Sequence, residues 1–339
     1  MQSRRRLIHV FGRALSFGLA AVIIAGFAGQ MIRDRSPAMA VLMYLPLLPA
    51  SLAAMVLDVA RRGRALGRGR FSLALLGILG STWAVTQMLG SGTIGDYALA
   101  DTEVTLLHWN VLWGGGPFRS ERTWAAQRAA IMERVPDIII LSEIPPASWL
   151  EQLLDEIGPG ANVVGIEHDR QSPYWFRLGV CSRWPLQVEK RMSLPDGVAM
   201  SVTVEVRGRS MRLLVVDGKS NPFRSRLPFL AAIAELCREA DAAGRPFDAV
   251  AGDFNTPSRS IGFDWLSALG YNLASRSAAG WRGTFPSWLP IYDIDHVWLR
   301  PGLRMRSCTL FSGPASDHRG QFVSLLLAPP KAIADGVER

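Results

Sequence analysis

Five short apolar runs in this chain each have the length of a buried strand, and each adjoins side chains suited to polar chemistry. Residues 104–109 (VTLLHW) end at Asn110, and residues 137–142 (DIIILS) end at Glu143. Residues 247–252 (FDAVAG) end at Asp253-Phe254-Asn255. Asp293-Ile294-Asp295-His296 leads into residues 297–299, and Ser316-Asp317-His318 leads into residues 322–327. Placing ionisable groups at the mouth of a buried strand costs free energy unless they have polar work there. One such end reads as a turn, because Asp and Asn favour turns. Five in succession point to one shared site. Strand side chains alternate faces, so Asp253 and Asn255 are expected to point the same way. They would offer an acceptor that orients water and a donor that holds an oxyanion.

The order Asn, Glu, Asp-x-Asn, Asp-His, Asp-His resembles the endonuclease/exonuclease/phosphatase superfamily. These are metal-dependent phosphoesterases that include pancreatic-type deoxyribonuclease, abasic-site endonucleases, neutral sphingomyelinases and inositol-polyphosphate phosphatases. The resemblance covers residues 101–328, and its most specific pieces are GDFN (252–255) and SDH (316–318). HWNV (108–111), LSEI (141–144) and GVCSRWPL (179–186) fit the same order. The fold it implies is α/β, a four-layered α/β sandwich of two packed β-sheets with outer helices. Helical periodicity over residues 123–134 and 226–242, set among strand-like segments, agrees with that architecture.

The resemblance also implies roles. Glu143 becomes the principal ligand of a hard divalent cation, Mg²⁺ with Mn²⁺ as the alternative, since such ions prefer oxygen donors. Asn110 gives its amide oxygen to the metal or holds Glu143. Asp317 contributes a further carboxylate near the metal. Asp253 orients the attacking water, Asn255 contacts the phosphoryl oxygens, and His318 sits on the scissile phosphate. Asp295 fixes the His318 tautomer, and the adjacent His296 faces away.

One position departs from the pattern. Many members carry His-x-x-Pro after the strand matching residues 213–216, and this chain reads Lys219-Ser220-Asn221-Pro222. Lysine contacts phosphate as a point charge, but with an ordinary pKa of about 10.4 it is a poor acid at neutral pH. Asp217 is a substitute acid, and Asn221 is assigned to substrate binding. Trp281, Phe285, Trp288 and Leu289 cluster just before Asp293. Core packing is the default for such a group. The alternative is a loop that stacks a base or dips into lipid, with Trp288 meeting the substrate.

Residues 1–91 have a different character. Residues 14–32, 38–57 and 71–89 are predominantly apolar runs of about twenty residues, each long enough to cross roughly 30 Å of hydrocarbon. The expectation is a membrane anchor of three transmembrane helices, with Pro46 and Pro49 tolerated in the second. Residues 92–100 then form a linker, 101–328 the catalytic domain and 329–339 a tail. The first apolar stretch is too long for a cleaved signal peptide. Arginines 4–6 and 13 precede it, and five more lie between the second and third runs. That bias puts the N-terminus in the cytoplasm and the catalytic domain across the membrane, in a bacterium the periplasm.

Charge follows the same division. Residues 1–100 hold eleven of the 37 basic side chains and three of the 29 acidic ones, which accounts for the whole net charge of +8. The remaining 239 residues carry 26 of each sign. A neutral catalytic domain lacks the basic footprint of a duplex-DNA binder. The bilayer as partner, with a lipid head group or small phosphoester as substrate, is therefore expected over DNA. An extracytoplasmic nuclease and a non-catalytic membrane module that keeps the fold are the alternatives. Cys181, Cys237 and Cys308 are odd in number and widely spaced, which points to buried free thiols.

Overall fold

The computed structural model describes residues 2–67, 69–92, 102–166 and 178–327. The expected linker beyond Gly92 and the expected tail at 329–339 lie outside the described residues.

The N-terminal segment is helical: α1 (Gln2–Ile32), α2 (Pro37–Met43), α3 (Leu47–Ala60) and α4 (Ser72–Met88). This corrects the three-span expectation. Among the described residues only one helix, over Val10–Ile32, is by itself long and apolar enough to cross a membrane. The second run is broken into α2 and α3, which meet at 58°. Pro46 causes the break, since it lacks an N–H and disfavours helical backbone at Leu45. The Tyr44 and Leu45 amides close instead as tight turns onto Val41 and Leu42. The third run gives α4 with 17 residues, about 26 Å of helix at 1.5 Å per residue, short of a 30 Å core.

Small residues let these helices approach. A side chain at Gly29 would come within 2.5 Å of Leu42, and one at Gly77 within 2.6 Å of the Ser51 carbonyl. Close packing through Gly is the usual way apolar helices associate in lipid. Asp58, buried in α3, accepts from the Ala65 and Ala74 amides at 3.0 and 2.8 Å and so ties the Arg-rich turn to α4. Outward, the bundle is greasy. Of 22 large apolar side chains left exposed among the described residues, 16 lie between residues 10 and 89, a concentration typical of a membrane or partner surface.

After α4 the chain adds β1 (Leu89–Ser91), β2 (Thr102–Asn110), a short irregular turn α5 (Leu112–Gly115), α6 (Glu121–Met132), β3 (Ile138–Ser142), α7 (Ala147–Ile157) and β4 (Asn162–Ile166). Then come β5 (Leu178–Ser182), β6 (Leu186–Leu194), β7 (Gly197–Val206), β8 (Arg209–Gly218), α8 (Leu227–Ala242), β9 (Ala249–Asp253) and α9 (Phe263–Ala268). The chain continues with β10 (Asn272–Leu273), β11 (Ala279–Trp281), β12 (Asp295–Leu299), β13 (Arg304–Ser312) and β14 (Arg319–Leu327).

The strands build two six-stranded sheets, ordered β10-β12-β9-β8-β7-β6 and β13-β14-β2-β3-β5-β4. The two-residue alternation of strand side chains divides the core into layers. Leu106, Ile138, Ile140, Leu213, Val215, Ala251 and Val297 meet between the sheets. Their neighbours Leu214, Val216, Val250 and Trp298 face outward onto α8 and α9. Leu107, Trp109, Ile139 and Leu141 face the other way onto α6 and α7. The result is a mixed α/β sandwich in four layers. Cys181, Cys237 and Cys308 are buried free thiols.

The helical segment is fastened to the sandwich. Strand β1 pairs antiparallel with β11, and Arg33 clamps Asp264 at 2.7 and 2.8 Å. Asp34 accepts from the Ser260 hydroxyl and the Ile261 amide, while Arg259 donates to the Gln30 carbonyl at 2.9 Å.

Candidate active site

Strand direction gathers the polar ends at one edge of both sheets. Parallel strands β2 and β3 pair Asn110 with Ser142, so Asn110 and Glu143 emerge side by side. Antiparallel β14 begins at that same edge, immediately after His318. In the other sheet Asp253 pairs with both Asp217 and Asp295. The Gln321 amide donates to the Asp295 carbonyl and joins the two sheets there.

At the centre, His318 Nδ1 donates to Asp295 Oδ2 at 2.8 Å, with Asp253 Oδ2 at 3.8 Å. Asn110 Nδ2 donates to Asp253 Oδ2 at 3.0 Å, and the Asn255 amide donates to Asp253 Oδ1 at 2.8 Å. Trp109 and Ser316 hold the His318 backbone at 3.0 Å each. Burial disfavours the imidazolium, but the Asp295 and Asp253 carboxylates outweigh it and lift the His318 pKa to about 10. Burial and the nearby Asp295 carboxylate push Asp253 up to about 7. Burial, then Asp253 and Glu143, hold Asp217 well above the carboxylate range. Burial raises Glu143, partly offset by a hydrogen bond from Asn110. Like charges crowded in a dry site produce this pattern, and it is common at functional sites.

A cleft of about 540 Å³ opens onto this cluster, walled by Tyr44, Leu112, Glu143, Ser220, Pro222, Arg226, Asn255, Phe285, Tyr292, Ile294, Asp317 and His318. Glu143, Asn255, Asp317 and His318 were expected at a site and stand on its wall. Asp253 and Asp295 are each 1% exposed and sit behind His318. Lys219, Asn221 and Trp288 are not part of the wall. Asn221 uses its carbonyl oxygen to accept from the Phe223 amide, and Trp288 is 80% exposed. Asp217 is buried at β8 and absent from the wall.

One local expectation needs correcting. Asp253 and Asn255 do not share a face by strand alternation, because the extended backbone ends at Asp253 and Asn255 has φ 48°. The Asp253 carboxylate captures the Asn255 amide and makes a turn, the competing tendency of Asp. Asn255 still reaches the cleft, with its side-chain amide donating to the Gly218 carbonyl at 2.8 Å. Glu143, at φ 50°, is likewise left-handed, a conformation non-glycine residues adopt where the surroundings enforce it. Asn110, expected to give its amide oxygen to the metal or to hold Glu143, accepts with that oxygen from the Leu112 amide at 3.0 Å. Its side chain therefore serves as a donor to Asp253 and Glu143. His296 faces away as expected, bonded to the Thr256 carbonyl at 2.8 Å.

The donor set suits a divalent cation. Five carboxyl groups (Glu143, Asp217, Asp253, Asp295 and Asp317) surround one imidazole. Buried oxygens of Asp295 and Asp317 have no hydrogen-bond partner. Ligand-type atoms of Asp253, Asp295 and His318 lie within 4.8 Å of one another. Their closeness comes from the hydrogen bond between His318 Nδ1 and Asp295, and a nitrogen carrying that proton does not ligate. Glu143 and Asp317, the two carboxylates on the cleft wall, are the better cation ligands.

Sequence reasoning missed Tyr44 and Arg226. Tyr44 lies inside an apolar run, and its one signal was the neighbouring Pro46. Arg226 read as the first residue of the helix expected over 226–242.

The described fold has well-matched relatives among solved structures, at low identity. An endonuclease/exonuclease/phosphatase family protein from Bacteroides thetaiotaomicron matches with a TM-score of 0.53 at 16% identity, covering 69% of this chain and all of that one. A mannosyl-6-phosphatase from the same organism matches at 0.54 and 16% identity, covering 66% of this chain and all of that one. A Bacteroides vulgatus endonuclease/exonuclease/phosphatase matches at 0.50 and 17% identity, covering 67% of this chain and all of that one. No curated protein sequence matches this chain. The sequence profile of one family aligns over residues 107–318, from the strand that ends at Asn110 to the histidine held by Asp295. The cluster at the sheet edge thus spans the matched region end to end, and the chain belongs to the Endonuclease/Exonuclease/phosphatase family, whose members are typically hydrolases of phosphoester bonds.

Proposed function

We propose that this protein is a membrane-anchored, Mg²⁺-dependent phosphoesterase (Mn²⁺ substituting) that hydrolyses a lipid head group or small phosphoester outside the cytoplasm. The observation that carries the reading is the imidazole of His318, held by Asp295 at 2.8 Å and standing on the wall of a cleft beside Glu143 and Asn255. A phosphoester anion repels nucleophiles, so hydrolysis needs its charge neutralised and a water oriented. His318 donates to a phosphoryl oxygen from its free Nε2, and the second N–H of Asn255 reaches another. Asp253 takes up the proton of the attacking water, a role suited to a carboxyl with a pKa near 7. Glu143 and Asp317 would hold the cation, which when bound would supply Lewis-acid neutralisation of the phosphate. Asp217 is buried beside Asp253, and its pKa is pushed well above the carboxylate range, which disfavours a further negative charge in the cluster.

Anchoring rests on α1 and on the apolar exterior of the helical bundle. On this reading the Arg-rich N-terminus is cytoplasmic, and a crossing by α1 leads to a catalytic domain on the far side. The cleft includes Tyr44 of the helical segment, which sets it beside the bilayer and favours substrates concentrated there.

The test is a substrate panel on the full chain in detergent or nanodiscs: phosphoinositides, sphingomyelin, sugar phosphates, nucleotides and plasmid DNA, with Mg²⁺, Mn²⁺ or EDTA. Lipid or small-molecule turnover that EDTA abolishes is expected. DNA nicking as the fastest reaction would move the protein to the nuclease reading, and no turnover of any substrate would remove the enzymatic one.

A further inference from the structure

The Asn255 carbonyl receives two hydrogen bonds, and one comes from a residue 211 positions away in the chain. Tyr44 Oη donates to it at 2.8 Å, and Arg226 Nε donates at 3.3 Å. Tyr44 is itself seated. Tyr292 Oη donates to the Tyr44 carbonyl at 2.6 Å, and the two rings pack with centroids 5.9 Å apart. Tyr44 stands where α2 ends before Pro46, so the helix break delivers it to the catalytic edge.

Two features make this more than a docking contact. Asn255 has a left-handed backbone, and its turn is shaped by Asp253, so whatever fixes its carbonyl fixes the direction of its side chain into the cleft. Arg226 is 4% exposed, lines the same cleft beside the Tyr44 hydroxyl, and has a buried Nη1 without a hydrogen-bond partner among the described residues. The guanidinium thus brings a positive charge to the cleft wall beside the Asn255 turn, suited to a phosphoryl group.

We propose that Tyr44 is a positioning residue of the active site: through one hydroxyl, the N-terminal helical segment fixes both the Asn255 turn and the Arg226 guanidinium against the bound phosphoryl group. The inference rests on the phosphoesterase reading for what occupies the cleft. By it, the segment that anchors the protein is also part of its catalytic centre.

The experiment compares full-length wild type, Tyr44→Phe and Tyr292→Phe in the same detergent. It measures kcat and KM on the best substrate of the panel, inorganic phosphate affinity by calorimetry, and the thermal midpoint. Tyr44→Phe keeps the ring and removes the donor. It should lower kcat roughly tenfold, the scale of one lost hydrogen bond in a transition state. Phosphate affinity should weaken, with the thermal midpoint unchanged. Tyr292→Phe loosens the seat but keeps the Tyr44 donor, and should give a smaller loss in the same direction. It also serves as the test if Tyr44→Phe does not fold. Wild-type kcat and phosphate affinity in Tyr44→Phe would overturn the inference, as would a change confined to KM. If wild type turns over no phosphoester yet Tyr44→Phe still weakens phosphate binding, the positioning role stands and the phosphoesterase reading falls.

Discussion

At Asp253 and His318 a single proton inventory is shared among buried groups. His318 owes its raised pKa to Asp295 and Asp253, and Asp253 owes its own to burial and Asp295. Removing either member changes the other, so the two act as a unit. Asp253→Ala and His318→Ala should each lose on the order of 10²–10⁴-fold in kcat, as is typical for a lost acid–base group. The double variant should lose far less than the product of the two losses. Losses that multiply would show that the residues act in separate steps. Lys219 stands apart, off the cleft wall, and Lys219→Ala should cost less than either. Steady-state kinetics of the four variants decide the matter, and a Lys219→Ala loss equal to that of Asp253→Ala would make lysine a primary catalytic group.

At the scale of elements, the helical segment depends on positions where a side chain has no room. A Cβ at Gly77 would meet the Ser51 carbonyl at 2.6 Å and Met55 at 2.7 Å, whereas Gly18 has nothing within 4 Å. Overpacking of that kind costs typically about 1–3 kcal/mol. Gly77→Leu should therefore lower the unfolding midpoint of the detergent-solubilised protein, and Gly18→Leu should leave it where it was. Equal midpoints would mean that α3 and α4 are not packed as described. Because Tyr44 hangs from the same segment, Gly77→Leu should also reduce activity, a link between helix packing and catalysis that apolar periodicity alone does not suggest.

The whole molecule is polarised. Its arginine-rich turn at residues 61–70 lies at the end of the bundle where Asp58 caps α4, and the sandwich is fastened at the other end through Arg33, Asp34 and Arg259. In the proposed orientation the Arg-rich N-terminal end of α1 stays in the cytoplasm. An alkaline phosphatase fused to the C-terminus should accordingly be active in a bacterial host, and a green fluorescent protein fused there should be dark. The opposite pair of results would place the catalytic domain in the cytoplasm and exclude an extracytoplasmic substrate.

How much of this was legible follows from the range of the physics involved. Strands buried on both faces read as short continuous apolar runs, so DIIILS and FDAVAG disclosed the strands, and their polar ends disclosed the sheet edge where Glu143, Asp253 and His318 gather. Apolar length likewise disclosed helix α1. Local pattern says nothing about partners far along the chain. Whether Pro46 is absorbed in one span or breaks it depends on what packs beside it. The break into α2 and α3 was thus decided by tertiary contacts, as was the delivery of Tyr44 across 211 positions to Asn255. The left-handed turn at Asn255, the use of the Asn110 oxygen by Leu112 and the exposure of Trp288 were settled in the same way. Sequence determined which residues are driven to be buried or to end a strand, because those are one-body preferences. Which polar atom satisfies which other depends on pairs of residues, and those pairs exist only once both sheets and the helical segment have packed together.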